Sequence, residues 1–204
     1  MKKLFKNKPI WLIVGILLVL SCISLVMALM TKSTPKVTNE FTLAEVTCQI
    51  HESLLKTDGT TETSDGTSHT GVSKKNEIKV ENTSNIDAYI RVRLVSYYVD
   101  ENNKIIGKDC PVPTFVPNNS YWIADSTNNT YYYKSPVTTG ATTENLIASG
   151  SGIVLETIDG TAADSYEHLY QVVDVIAEAV QAEPSNAVTS VWSITVGTDG
   201  TLSK

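Results

Sequence analysis

The stretch that decides the fold is NTSNIDAYIRVRLVSYYVD, residues 82–100. Side chains of two kinds alternate along it. One parity holds Ala88, Ile90, Val92 and Leu94, and the other holds Tyr89, Arg91, Arg93, Val95 and Tyr97. A period of two over this length is typical of a β-strand with one face in the core. Because a slip of one residue would bury both arginines, the pattern predicts the register as well as the strand.

The chain beyond residue 40 is divided into short strand-like segments by turn residues. Residues 41–52 predict a strand with a bulge near Ala44, and Ile78 and Val80 predict the inner face of another, joined to residues 82–100 by a turn with Glu81 across it. Further predicted strands cover 121–123, 131–133 and 152–158. Asp-Gly-Thr at 58, 65, 159 and 199 predicts turns with glycine at positive φ. The prolines of 110–117 exclude a central strand there.

Two segments have weaker patterns. Residues 57–76 are polar and of low complexity, which predicts a loop. Residues 169–182, LYQVVDVIAEAVQA, satisfy both the helical period and the strand period, so periodicity leaves both structures open. With one or two short helices, such as residues 186–192, the whole predicts an all-β fold. We expect an antiparallel sandwich of jelly-roll or immunoglobulin-like type over 41–197, with long loops and a tail at 198–204.

The N-terminus has the composition of an export signal. Four lysines precede an apolar run from Ile10 to Met30, with no acidic residue before Glu40. This predicts a hydrophobic helix that serves as a cleaved signal peptide, with the cut between Ala28 and Leu29, or as a retained membrane anchor. Lipidation at Cys22 is a third reading. In each case residues 31–40 form an extended linker outside the membrane, and the domain is extracellular.

Charge restricts the partners. The chain has 16 Lys and Arg against 22 Asp and Glu, and the leader contains four of the lysines and no acid, which leaves a net charge of −10 beyond residue 30. An acidic surface argues against nucleic acid and anionic lipid as partners. Two cysteines, Cys48 and Cys110, remain in an oxidising compartment, where they either form a disulfide or stay separate thiols.

No residue pattern predicts catalysis, a cofactor or a metal. A zinc hydrolase commonly carries HExxH, whereas His51-Glu52 has no second histidine four residues on. His69 lies in the polar loop and His168 in a predicted turn. The tyrosines at 131–133 fit alternating core and edge packing better than a carbohydrate platform. We therefore assign no catalytic, cofactor-binding or metal-binding residue.

Several stretches together resemble one family. The lysine-led leader is followed in order by NEFTLAEV, KVENTSNIDAYIRVRL, NTYYYKSPVTTGATTENL and VIAEAVQAEPSNAVTSVW. This order resembles the TasA/camelysin-like exported proteins of Gram-positive bacteria, many of which have a SipW-dependent type of signal peptide. The resemblance covers most of residues 1–197. It implies a jelly-roll-like sandwich, a strand at 169–182, and a place at the cell surface or in the extracellular matrix of a biofilm.

The resemblance also implies assembly into fibres, in which the segment after the signal completes a neighbour's sheet as a donor strand. Here that segment is residues 31–40, interrupted by Pro35. We expect a non-enzymatic structural protein whose partners are signal peptidase during export, copies of itself, or another matrix or surface protein. The alternatives are a membrane-anchored binding module and a camelysin-like metalloprotease.

Overall fold

A computed structural model describes residues 45–64, 72–125 and 127–204. The predicted leader, the cut between Ala28 and Leu29, the linker and His69 all lie outside these residues. Within the described part of the chain, no helix is both long and apolar enough to cross a bilayer.

The described chain is all-β, with two antiparallel sheets around one core. Its elements are β1 (Cys48–Lys56), β2 (Thr61–Ser64), β3 (Val72–Asn82), β4 (Ala88–Asp100), β5 (Ile105–Ile106), β6 (Trp122–Asp125), β7 (Thr130–Tyr133), β8 (Ile153–Val154), β9 (Thr157–Asp159), β10 (His168–Gln181), the helix α1 (Asn186–Trp192), β11 (Thr195–Val196) and β12 (Leu202–Ser203). The four-stranded sheet has the order β2-β1-β3-β8. The six-stranded sheet has the order β6-β7-β4-β10-β9, with β5 beside β4. The predicted all-β sandwich is confirmed.

The predicted register of β4 is confirmed. Ala88, Ile90, Val92 and Leu94 are all 2% exposed or less, and they share the core with Ile78 and Val80 of β3. Arg93 and Val95, on the other parity, are exposed. Because apolar side chains recur at every second position, only this register removes them from water together.

Residues 169–182 form a strand, as the family resemblance implied, and the helical alternative is wrong. Strand β10 pairs with β4 without interruption, from Ala88 opposite Gln181 to Asp100 opposite Leu169. This long antiparallel ladder overrides the helix propensity of alanine and glutamate, because cross-strand packing decides β-structure more than local preference does.

Three sequence expectations need correction. Strands β3 and β4 belong to different sheets, so residues 83–87 form a crossover and not a hairpin. The Asn82 side-chain amide holds this crossover by donating to the carbonyls of Ile86 and Val137 at 2.9 and 2.7 Å. The polar loop at 57–76 contains β2 and the start of β3. Residues 152–158 form not one strand but β8 and the start of β9, in opposite sheets.

Residues 183–204, the C-terminal arm, cover one end of the outer face of the six-stranded sheet. Helix α1 and the β11–β12 hairpin enclose a second apolar cluster with Tyr89 and Tyr132, which explains why Tyr89 is buried despite its outward parity. The Tyr89 hydroxyl donates to the carbonyl of Gly200 at 2.7 Å. The predicted tail at 198–204 is thus part of the packed structure, with Leu202 only 4% exposed.

The Asp-Gly-Thr turns are of two kinds. At Asp58 and Asp199 the carboxylate accepts hydrogen bonds from the amide and hydroxyl of the threonine two residues on, and the intervening glycines have φ of 82° and 78°. At Gly160 the expected positive φ is wrong. Glycine is required there because a Cβ would lie 2.1 Å from the carbonyl oxygen of Tyr166. The turn at 65–67 lies outside the described residues.

Candidate functional site: an open strand edge and two charged faces

The histidines with described positions are far apart in the topology. His51, on the outer face of β1, lies with Nε2 3.0 Å from a carboxylate oxygen of Glu81. His168, at the start of β10, lies with Nδ1 2.9 Å from Asp159. The residue after His51 points the other way. Glu52 is 3% exposed, and Lys75 Nζ donates to it at 2.5 Å inside the sandwich.

This geometry bears on the metallopeptidase alternative. His51 and Glu52 are adjacent on a strand, so their side chains point to opposite faces of the sheet. They therefore cannot act together at one zinc ion, as the adjacent histidine and glutamate of a helical HExxH motif do. Among the described residues there is no group of three or more His, Cys, Asp or Glu that could hold a metal ion.

The two cysteines are separate thiols. Cys48 begins β1 and packs against the core, where burial and, to a smaller extent, the charge of Glu178 raise the pKa of its thiol. Cys110 lies in the proline-rich loop, with Sγ 3.0 Å from the Ser96 hydroxyl and 3.4 Å from the side-chain nitrogen of Gln171. Gln171 and Glu178 are seven residues apart on a straight strand, which is about 23 Å. The two thiols therefore lie near different ends of β10.

The Cys110 region is a closed polar network. Gln171 is 5% exposed and also donates to the carbonyl of Pro111 at 3.0 Å. Beside it the Tyr98 hydroxyl donates to Glu156, and burial together with that hydrogen bond raises the pKa of Tyr98 well above its usual value. Since each group has a partner, the network anchors the loop to the sheet and keeps its polar atoms satisfied.

The two arginines of β4 have different surroundings. Arg91 donates through Nε and Nη2 to one oxygen of Glu178 at 3.0 and 2.6 Å, and its Cζ lies 5.1 Å from the ring centre of Trp192. Arg93 is exposed and makes no ion pair with any described residue. The acid that neutralises the strand is thus Glu178 of β10 and not Glu81, as the sequence suggested.

The tyrosines at 131–133 pack as predicted. Tyr131 faces the main core, Tyr132 faces the cluster under the C-terminal arm, and both are 7% exposed. Tyr133 stacks on Tyr121, with ring centres 6.5 Å apart and planes inclined by 9°. The alternation distributes consecutive aromatic rings over both faces of β7.

The outer face of the four-stranded sheet bears an acidic groove of about 540 Å³. It is lined by His51, Glu77, Lys79, Glu81, Thr142, Thr143 and Glu144. Two of its carboxylates already have partners, since Lys79 lies 2.7 Å from Glu77 and His51 pairs with Glu81. The Glu144 carboxylate is exposed and makes no ion pair with a described residue.

None of the described strands pairs with the outer side of the second half of β10, and we call residues 173–181 the open edge. Strand β9 pairs only with His168–Tyr170, and the amide of Gln171 donates to the carbonyl of Glu156 on the same side. The amide of Ala182 instead donates toward β4, to Asp87. Backbone direction alternates along an antiparallel strand, so the odd residues from 173 to 181 direct their N–H and C=O groups away from β4. No described strand pairs with them.

The open edge borders the core. Ala177 and Ala179 of β10, together with Cys48 and Ile50 of β1, are partly buried side chains packed against the main cluster. The edge is about 26 Å long at the rise of a strand. Sequence reasoning missed it, because no local pattern tells which strand lacks a neighbour.

Comparison of the chain with protein-family models, with curated proteins and with solved structures found no match. The residues and their geometry are therefore the basis for a function.

Proposed function

We propose that this protein is an exported, non-enzymatic structural component of the cell surface or extracellular matrix, and that copies of it associate through the open edge of β10. The observation that carries the proposal is that edge, a row of outward N–H and C=O groups at residues 173–181 beside a partly covered core. An unpaired edge of this length is a template for an added strand.

Export rests on the leader. Four lysines followed by an apolar run from Ile10 to Met30 have the order of a secretory signal. The net charge of −10 beyond residue 30 makes copies of the domain repel one another and favours solubility, so copies associate only through a specific contact. The resemblance to matrix-forming exported proteins gives the same location.

The occupant of the edge is an extended segment of a second copy. Residues 31–40, which the sequence predicts to be an extended linker and for which the family resemblance implies a donor strand, are the candidate. Pro35 has no amide hydrogen, so it fits only where its backbone nitrogen faces away from the ladder. Ala177 and Ala179 on this edge are small and only partly buried, so an added strand would bring its own apolar side chains to the core beside them.

A proline on the edge tests the proposal. In Ala179→Pro the lost amide hydrogen points to the open side, so the ladder with β4 is kept while strand addition is blocked. The control is Ala179→Ser, which keeps the amide. The full chain, recovered from outside an exporting cell, is followed by sedimentation at rising concentration. We expect the wild type and the serine variant to assemble, and the proline variant to stay monomeric over the concentration range in which they do so, with an unchanged strand content by circular dichroism.

Thiol protection gives a second measurement. Alkylation of Cys48 beside the edge should slow in assembled protein, whereas alkylation of Cys110, at the other end of β10, should not change. A wild type that remains monomeric at every concentration contradicts the assembly.

Stoichiometric zinc in the purified protein, with chelator-sensitive proteolysis, would favour the metallopeptidase alternative instead.

A further inference from the structure

We infer that neighbouring copies also meet face to face, with Arg93 of one copy entering the acidic groove of the next and pairing with Glu144. This contact rests on the proposed self-association and supplies a second interface for it, separate from the open edge. It joins the outer face of the six-stranded sheet to the outer face of the four-stranded sheet.

The first half of the contact is the exposed cation. Arg93 lies opposite Ile176 in the ladder, and the nearest carboxylates on that face are already engaged. Asp174 accepts a hydrogen bond from the Tyr97 hydroxyl at 2.9 Å, and Glu178 binds Arg91. Val95, two residues along β4, and Ile176, opposite Arg93 in the ladder, are 37% and 38% exposed. The result is a cation with an apolar rim, a combination that is enriched at protein interfaces.

The second half is the groove. Its volume of about 540 Å³ is in the range of sites that accept a side chain or small ligand. Glu77 forms an ion pair with Lys79, and the Glu81 carboxylate lies 3.0 Å from His51 Nε2, whereas the Glu144 carboxylate has no ion-pair partner among the described residues and can receive one. A guanidinium is the cation best suited to it, because its planar donors match both carboxylate oxygens.

The two halves lie on opposite faces of one sandwich, so the contact is between unlike surfaces. Such a head-to-tail contact does not close on itself in a pair, and its repetition generates a ring or an open chain of copies. In a protein of net charge −10 beyond the leader, most random encounters are repulsive. A contact that joins Arg93 to Glu144, neither of which has an ion-pair partner among the described residues, therefore selects one orientation.

Charge reversal tests the contact. The variants are Arg93→Glu and Glu144→Arg, and the matched controls Lys104→Glu and Asp109→Lys change exposed loop residues off both faces. Sedimentation of the full chain recovered from outside the cell gives the concentration at half assembly. We expect each reversal to raise that concentration at least about tenfold and the controls to leave it unchanged. An equimolar mixture of the two reversed variants should assemble again, because each then offers the face that the other needs.

The outcomes separate this contact from the edge. If both reversals assemble like the wild type while Ala179→Pro does not, the face contact is overturned and the proposed function stands. Failure of the mixture to assemble, with both variants folded by circular dichroism, also overturns the pairing of Arg93 with Glu144. A wild type that never assembles overturns both proposals.

Discussion

Arg91 and Glu178 form an ion pair across β4 and β10, and the Trp192 ring covers the guanidinium on the outer side. The pair thus links the two longest strands of the six-stranded sheet to the C-terminal arm. Arg91 is 24% exposed and Glu178 39%, so solvent screening limits the charge contribution, and the contact with the indole adds to it.

Replacing Arg91 should cost more stability than replacing Arg93. We expect Arg91→Ala to lower the free energy of unfolding by about 1–2 kcal/mol, since it removes a charged hydrogen bond and the cation–π contact. Arg93→Ala should stay within about 0.5 kcal/mol, because no described partner is lost. Urea denaturation of the two variants measures both values under conditions where the protein is monomeric. Equal losses would contradict the difference between the two sites.

The buried pair of Glu52 and Lys75 gives a larger effect. The two side chains are 1% and 5% exposed, so either partner left alone is a charge inside the sandwich. Glu52→Gln should lower the free energy of unfolding by about 3–5 kcal/mol, whereas the double replacement Glu52→Leu with Lys75→Met should recover most of it.

The control for the buried pair is Glu77→Gln, at the half-exposed pair with Lys79. There the expected loss is below about 1 kcal/mol. Thermal denaturation of the variants decides between the two cases. A double variant less stable than Glu52→Gln alone would show that the ion pair has a positive role which apolar packing cannot replace.

Gly160 tests a backbone contact that the sequence did not indicate. The Cβ of an alanine there would lie 2.1 Å from the Tyr166 carbonyl, so the turn before β10 must shift. We expect Gly160→Ala to cost about 1–3 kcal/mol, as overpacking does. Gly107→Ala is the matched control, since nothing lies within 4 Å of its added carbon. Similar melting temperatures for the two variants would contradict the close approach.

The sequence predicted those features that depend on neighbours along the chain. The parity of residues 88–94 and the presence of strands at β6 and β7 follow from alternation and turn residues, which act over a few positions. The strand partners did not follow. Strand β4 pairs with β10, about 80 residues later, and not with the adjacent β3, because that choice is made by packing across the whole core.

The candidate functional surfaces likewise depend on contacts with distant segments, which local sequence patterns do not predict. Arg91 and Arg93 have the same parity and the same residue type, yet the C-terminal arm reaches one and not the other. The open edge of β10 likewise results from β9 beginning only at Thr157, beside Tyr170, because the chain just before it, β8, belongs to the other sheet. Neither the hydrophobic period of a strand nor a local sequence motif indicates where a neighbouring strand that is distant in sequence begins or ends.

The C-terminal arm should loosen in acid. Hydrogen bonding to Lys204 lowers the pKa of Asp125, and hydrogen bonding to Thr201 lowers the pKa of Asp199. A carboxyl group whose pKa is lowered in the folded state contributes its full stabilisation at pH values above its ordinary pKa of about 3.9. This stabilisation is lost as the pH falls through the lowered pKa of the folded state. The indole N–H resonance of Trp192, followed by NMR from neutral pH to about pH 2, should therefore move toward its unfolded position below about pH 4.

Asp125→Asn should loosen the arm already at neutral pH, because the ion pair with Lys204 is removed. Asp58→Asn is the control, since the lowered pKa of Asp58 belongs to the turn between β1 and β2, and it should leave the Trp192 titration unchanged. A Trp192 resonance that shifts only together with global unfolding, in the wild type and in Asp125→Asn alike, would show that these two carboxyls do not hold the arm.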